Sequence, residues 1–175
     1  MGCNMKVELK SLKHSEFASR ETNCFEATVY INGKRAFYAR NDGNGGADLY
    51  EPLFKLNDIQ DRVEFNGLLN DLINHCLTLP KWGSEFGDAD NMDVTPEILI
   101  GNLVSDMLDS KKLKKSLKKK VLFINENGIY QTGYGNKRPV DQNLIDMVKD
   151  ENPDSIILNC LAFNEALNLY RGEHA

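Results

Sequence analysis

Asp42, Asn44 and Asp48 place oxygen ligands at short intervals within Asn41-Asp-Gly-Asn-Gly-Gly-Ala-Asp48, a loop containing three glycines. Glycine-rich loops can turn successive backbone amides toward an anion, and closely spaced carboxylates suit a hard cation. Neither pattern is complete here. No Lys-Ser/Thr pair closes the loop as in a phosphate-binding P-loop, and the glycines do not satisfy G-x-G-x-x-G. Counted from Asp42, the twelfth place that an EF-hand reserves for glutamate is Leu53. No metal is therefore assigned. Three readings stand: a turn that closes a strand, a partner or ligand contact made by Asn41, Asp42, Asn44, Gly45, Gly46 and Asp48, or a small metal- or ligand-binding enzyme centred on the loop.

The second concentration of chemistry is charge. Seven of the ten residues from Lys111 to Lys120 are lysine, which leaves 14 basic against 26 acidic side chains elsewhere in a chain of net charge -5. Lys111, Lys112, Lys114, Lys115, Lys118, Lys119 and Lys120 form a patch able to hold phosphates or an acidic partner. The run contains no arginine for bidentate contacts and no aromatic residue for base stacking. A solvated helix face is the plainer alternative.

Other reactive residues lack a setting. Cys3, Cys24, Cys76 and Cys160 are far apart with no C-x-x-C pair, so neither a zinc knuckle nor a redox motif is visible, and reduced thiols are expected. His75 and Cys76 are neighbours, and adjacent helical residues diverge by about 100°. No nucleophile elbow activates a serine or cysteine. Glu85, Asp88, Asp90 and Asp93 form an acidic stretch read as a solvated linker. The reading leans away from an enzyme, with no catalytic residue and no cofactor.

These residues need a scaffold, and the hydrophobic pattern describes one. Met5, Val7 and Leu9 alternate with charged neighbours over Met5–Leu12, the period of a half-buried strand. Phe25, Ala27, Val29 and Ile31 alternate with Glu26, Thr28 and Tyr30, and Asn32-Gly33 then predicts a tight hairpin into a strand over 35–40. His14–Asn23 reads as a loop. Ile59, Val63, Leu69, Leu72, Ile73, Cys76 and Leu77 recur at helical spacing within 57–78. Thr95-Pro96-Glu97 supplies an N-cap, a first-turn proline and a first-turn carboxylate for a second helix through Leu108, which the lysine run extends or follows as another short helix. Val121–Ile124 and Ile129–Thr132 flank Asn-Glu-Asn-Gly as a second hairpin. A helix over 140–150, a strand over 155–158 and a helix on Phe163, Ala166, Leu167 and Tyr170 complete the chain. The expectation is α+β: a mostly antiparallel sheet, two central amphipathic helices and a C-terminal ββαβα segment, in one domain over 1–175.

No apolar run is long enough to span a bilayer, so no membrane partner and a cytoplasmic location are expected. Met1-Gly2-Cys3 resembles a dual-acylation start, but Lys6 stands where a myristoylation signal has Ser or Thr.

The blocks Leu12-Lys-His14, Glu21-Thr22, Phe25-Glu-Ala-Thr-Val-Tyr-Ile-Asn-Gly-Lys34, Asn41-Asp-Gly-Asn-Gly-Gly46, Ser155-Ile-Ile-Leu-Asn159 and Phe163-Asn-Glu-Ala-Leu167 resemble a family of small uncharacterised bacteriophage and prophage proteins. Family loops often carry histidine and cysteine where this chain has Asn44 and Ala47, so any metal chemistry of relatives does not transfer. The resemblance implies a phage-encoded accessory protein acting in a bacterial cell. Its expected partner is a host protein or ribonucleoprotein, or nucleic acid. An inhibitor of a bacterial defence system such as CRISPR-Cas fits that setting.

Overall fold

In a computed structural model of the chain, residues 5–53, 55, 59–81, 92–135 and 138–172 are described. The chain folds as two compact units, Met1–Ser105 and Asp106–Ala175. The fold is α+β, with a four-stranded and a three-stranded sheet, both antiparallel. Met1-Gly2-Cys3, Glu85, Asp88 and Asp90, singled out in the sequence, lie outside the described residues.

The first unit is built on β1 (Val7–His14), β2 (Phe25–Ile31), β3 (Lys34–Asn41) and β4 (Leu49–Pro52), paired in chain order. Asn32 and Gly33 both have positive φ, 50° and 78°, which is the backbone twist that a two-residue hairpin requires. The Asn32 side chain adds a bond, its Oδ1 accepting from the Lys6 amide at 2.9 Å. On the inner face Leu9, Val29 and Phe37 lie opposite one another across three strands. All are buried, and Phe37 packs edge-on against Tyr50 and Phe65. The outer face is polar and paired, with Lys13 on Glu26 at 2.7 Å and Arg40 on Glu51 at 2.7 Å.

Two sequence expectations change in this unit. His14–Asn23 is not wholly a loop: Glu16–Ala18 forms a single 3-10 turn, and β1 itself runs on to His14 past a bulge at Ser11 and Leu12. Strand β4 has no counterpart in the hydrophobic pattern. Helix α1 (Ile59–Cys76) forms where its periodicity predicts, but only part of the predicted face is inward. Leu72 and Cys76 are buried, whereas Ile59, Val63, Ile73 and Leu77 are exposed. The helix carries two apolar rows, and the row holding Phe65 meets the sheet at Phe37.

Helix α2 (Pro96–Leu117) is continuous, so the lysine run extends it and does not form a separate helix. Thr95 caps it, Oγ1 accepting from the Ile98 amide at 3.3 Å. The unit boundary falls after Ser105, within this helix.

The second unit holds the end of α2, the hairpin of β5 (Val121–Asn125) and β6 (Gly128–Thr132), α3 (Gln142–Glu151), β7 (Ile156–Ile157) and α4 (Phe163–Arg171). The last predicted strand is shorter than expected, since Leu158–Cys160 turns into a 3-10 helix. Successive side chains of a strand point to opposite faces. Leu122 accordingly packs with Leu113 of α2, Leu158 and Ala166 of α4, while Val121 packs with Leu144 and Val148 of α3. The three strands thus separate two helical layers. Helix α3 exposes Asp146, Asp150 and Glu151, with Lys149 among them.

Candidate functional site

The glycine-rich loop is organised by one side chain. Asn41, at the end of β3 and 7% exposed, makes four hydrogen bonds. Its Oδ1 accepts from the Thr22 hydroxyl at 2.7 Å and the Gly43 amide at 2.8 Å. Its Nδ2 donates to the Gly46 carbonyl and to Asp48 Oδ1, both at 2.9 Å. Both of its amide hydrogens are used within the fold.

Gly43 completes the knot from the other side. Its carbonyl accepts from the amides of Arg20, Glu21 and Thr22 at 2.9, 3.0 and 3.4 Å, fastening the loop to the segment after the 3-10 turn. Its φ of +84° is left-handed, and a Cβ there would run into the Ala18 carbonyl and approach Cys24. Gly43→Ala is expected to lose about 2 kcal/mol, from the left-handed penalty plus backbone displacement. The check is loss of amide-exchange protection in β2 and β3, with Gly46→Ala, whose Cβ would meet open space, nearly unchanged.

The two carboxylates suggested for a cation, Asp42 and Asp48, border different clefts. Asp42 is lowered from the ordinary aspartate range mainly because it accepts from the Asn44 amide, at 3.1 Å, and it borders a cleft with Lys13, His14 and Arg40. Asp48 opens instead onto a second cleft of about 750 Å³ with Arg20, Glu21 and Glu97. Burial pushes the Asp48 carboxyl up, the Asn41 amide offsets part of this, and the Glu97 charge adds to it. Glu97 reaches the same corner, Oε1 accepting from the Asp48 amide at 3.1 Å. Among the described residues no group of three His, Cys, Asp or Glu side chains is arranged to hold a metal ion.

No family model, curated protein or solved structure matches this chain. Its chemistry therefore rests on its own geometry. Cys24, Cys76 and Cys160 are free thiols, and burial raises the Cys76 pKa. Among the described residues no helix is long and apolar enough to cross a membrane.

The lysine tract differs from the glycine corner in being unengaged. Lys111, Lys112, Lys114, Lys115, Lys118 and Lys119 are exposed and Lys120 is half-buried. At 100° per residue, the four lysines of 111–115 fan across the side of α2 opposite buried Leu113. Among the described residues no ion pair involves any of the seven. Lys114 alone has an internal partner, its Nζ 4.7 Å from the Phe163 ring centroid.

Sequence reasoning missed the residue that fixes this tract. Asn159 Nδ2 donates to the carbonyls of Leu117 at 3.1 Å and Lys120 at 3.0 Å, while its Oδ1 accepts from the Leu122 amide at 2.8 Å. Carbonyls that any helix leaves unpaired at its C-terminus are thereby satisfied, and the Lys118–Lys120 turn is tied to β5. An isolated asparagine after a short strand has no sequence signature that distinguishes this role. Arg171 closes α4 onto the same helix, through the Asp106 carboxylate and carbonyl, each at 3.0 Å.

Proposed function

We propose that this chain is a non-enzymatic binding protein that engages nucleic acid through the lysine face at the end of α2. The observation that carries this reading is six exposed lysines with no acidic partner among the described residues, four on α2 and two on the following turn, which Asn159 holds in place. Charges left unpaired on an ordered helix attract a polyanion without first breaking internal contacts. Because the run lacks arginine, its contacts go to phosphates as point charges, with little reading of base sequence. The glycine corner supports a scaffold role beside this, since the donors of Asn41 are consumed within the fold.

The resemblance to phage proteins supplies the cellular setting for the same proposal. A phage-encoded accessory protein in the bacterial cytoplasm would take a host or phage nucleoprotein as its target, with inhibition of a defence system such as CRISPR-Cas as the consequence.

Binding of labelled DNA and RNA oligonucleotides tests the lysine face directly. Replacing Lys111, Lys112, Lys115 and Lys119 together with glutamine is expected to weaken binding about 100-fold near 0.1 M salt. The slope of log affinity against log salt should become shallower by about 3. Equal affinity and slope in the two proteins would remove the proposal.

A further inference from the structure

We propose that the groove beside the lysine face accepts an unpaired base, making single-stranded nucleic acid the preferred ligand; this deepens, and rests on, the phosphate-binding reading above. The groove has a volume of about 530 Å³ and lies wholly within the second unit. Its walls are largely apolar, with Pro139, Val140, Ile145, Leu161 and Phe163 among them, and no Asp or Glu lines it among the described residues. Lys118 stands at the groove itself, and Lys114 lies over the Phe163 ring. Asn159, which also lines it, already has both amide hydrogens committed to backbone carbonyls, so it supplies no donor for a polar guest.

An apolar slot edged by cations suits a flat ring that packs by its face and is joined to an anion. A nucleotide has that form, with the face of its base against Pro139 and Phe163, the polar edge of the base toward solvent and the phosphate on the lysines. From Lys118 at the slot, the lysines lead back along α2 to Lys111 for roughly 9 Å of helix, and a nucleic-acid backbone offers phosphates over such a length whatever its sequence. An acidic peptide would need carboxylates at nearly every other residue to do the same. A duplex keeps its bases paired and stacked, and would have to extrude one to fill the slot.

The test compares a ten-nucleotide oligothymidylate with a ten-base-pair duplex, using wild type and Val140→Trp, which adds bulk at the groove wall and replaces no lysine. Wild type is expected to bind the single strand about tenfold more tightly than the duplex. Val140→Trp should lose that margin while keeping wild-type duplex affinity, which also shows that the variant is folded. Methyl resonances of Val140, Ile145 and Leu161 in wild type should shift with the oligothymidylate and not with the duplex. Equal binding of both forms by wild type, single-strand affinity unchanged in Val140→Trp, or full displacement of the oligothymidylate by polyglutamate at equal charge would overturn the groove proposal and leave the lysine face standing. Failure of wild type to bind either form would overturn both.

Discussion

Asn41→Ala is expected to destabilise the first unit by about 3 kcal/mol. The substitution deletes four hydrogen bonds at a residue 7% exposed and leaves the Gly43 amide, a buried donor, without its acceptor. One unsatisfied buried group costs about 1–3 kcal/mol, and the neutral bonds lost with it contribute about 1 kcal/mol each before the loop relaxes. Hydrogen exchange is the sharpest measurement: the Gly43 amide should lose protection first, followed by β3. Asn41→Asp separates the two halves of the network. It keeps the acceptor for Thr22 and Gly43, loses the donors to Gly46 and Asp48, and places a second carboxylate beside Asp48, already pushed up by burial. Protection unchanged in Asn41→Ala would mean that the glycine corner is held by the Gly43 carbonyl alone.

Asn159→Ala should have a comparable effect on the second unit, about 3 kcal/mol, with a different signature. Three backbone groups lose their partner, the carbonyls of Leu117 and Lys120 and the amide of Leu122. The last turn of α2 then ends without satisfied acceptors. Exchange should accelerate at Leu122 and at the end of α2, and nucleic-acid affinity should fall about threefold as Lys118, Lys119 and Lys120 lose their fixed arrangement. Asn159→Asp discriminates between shape and bonding, because it is isosteric, retains the acceptor for Leu122 and faces a carboxylate toward two carbonyls. Loss of stability as large as in the alanine variant would confirm that the two donated bonds dominate.

How far such features can be read in a sequence depends on the range over which they act. The β2–β3 hairpin is legible because its determinants are local: strict alternation over Phe25–Ile31 and two residues that tolerate positive φ. The cap on α2 is legible for the same reason, Thr95 and Ile98 being three residues apart. Strand β4 is not, since Leu49–Pro52 is four residues ending in proline and becomes a strand only by pairing with β3. Helix α1 shows a related difficulty. Its sequence carries apolar residues on two rows, and the choice between them is made by the sheet through Phe37 and Phe65. The lysine tract is visible as charge, but its helical continuation past Leu108 depends on Leu113 entering the second unit's core. Both asparagine hubs join segments far apart in sequence, Asn41 reaching Thr22 and Asn159 reaching Leu117, and composition holds no trace of such partnerships.

The second unit carries its seven clustered lysines at the end of α2 and three exposed carboxylates, Asp146, Asp150 and Glu151, on α3, so its charge is unevenly spread. On the nucleic-acid reading, a phosphate chain would feel this unevenness before contact, which would raise the share of encounters that meet the lysines. On the function proposed above, a second strand reaching α3 would find one lysine, Lys149, among three carboxylates and no cluster of cations like that of α2.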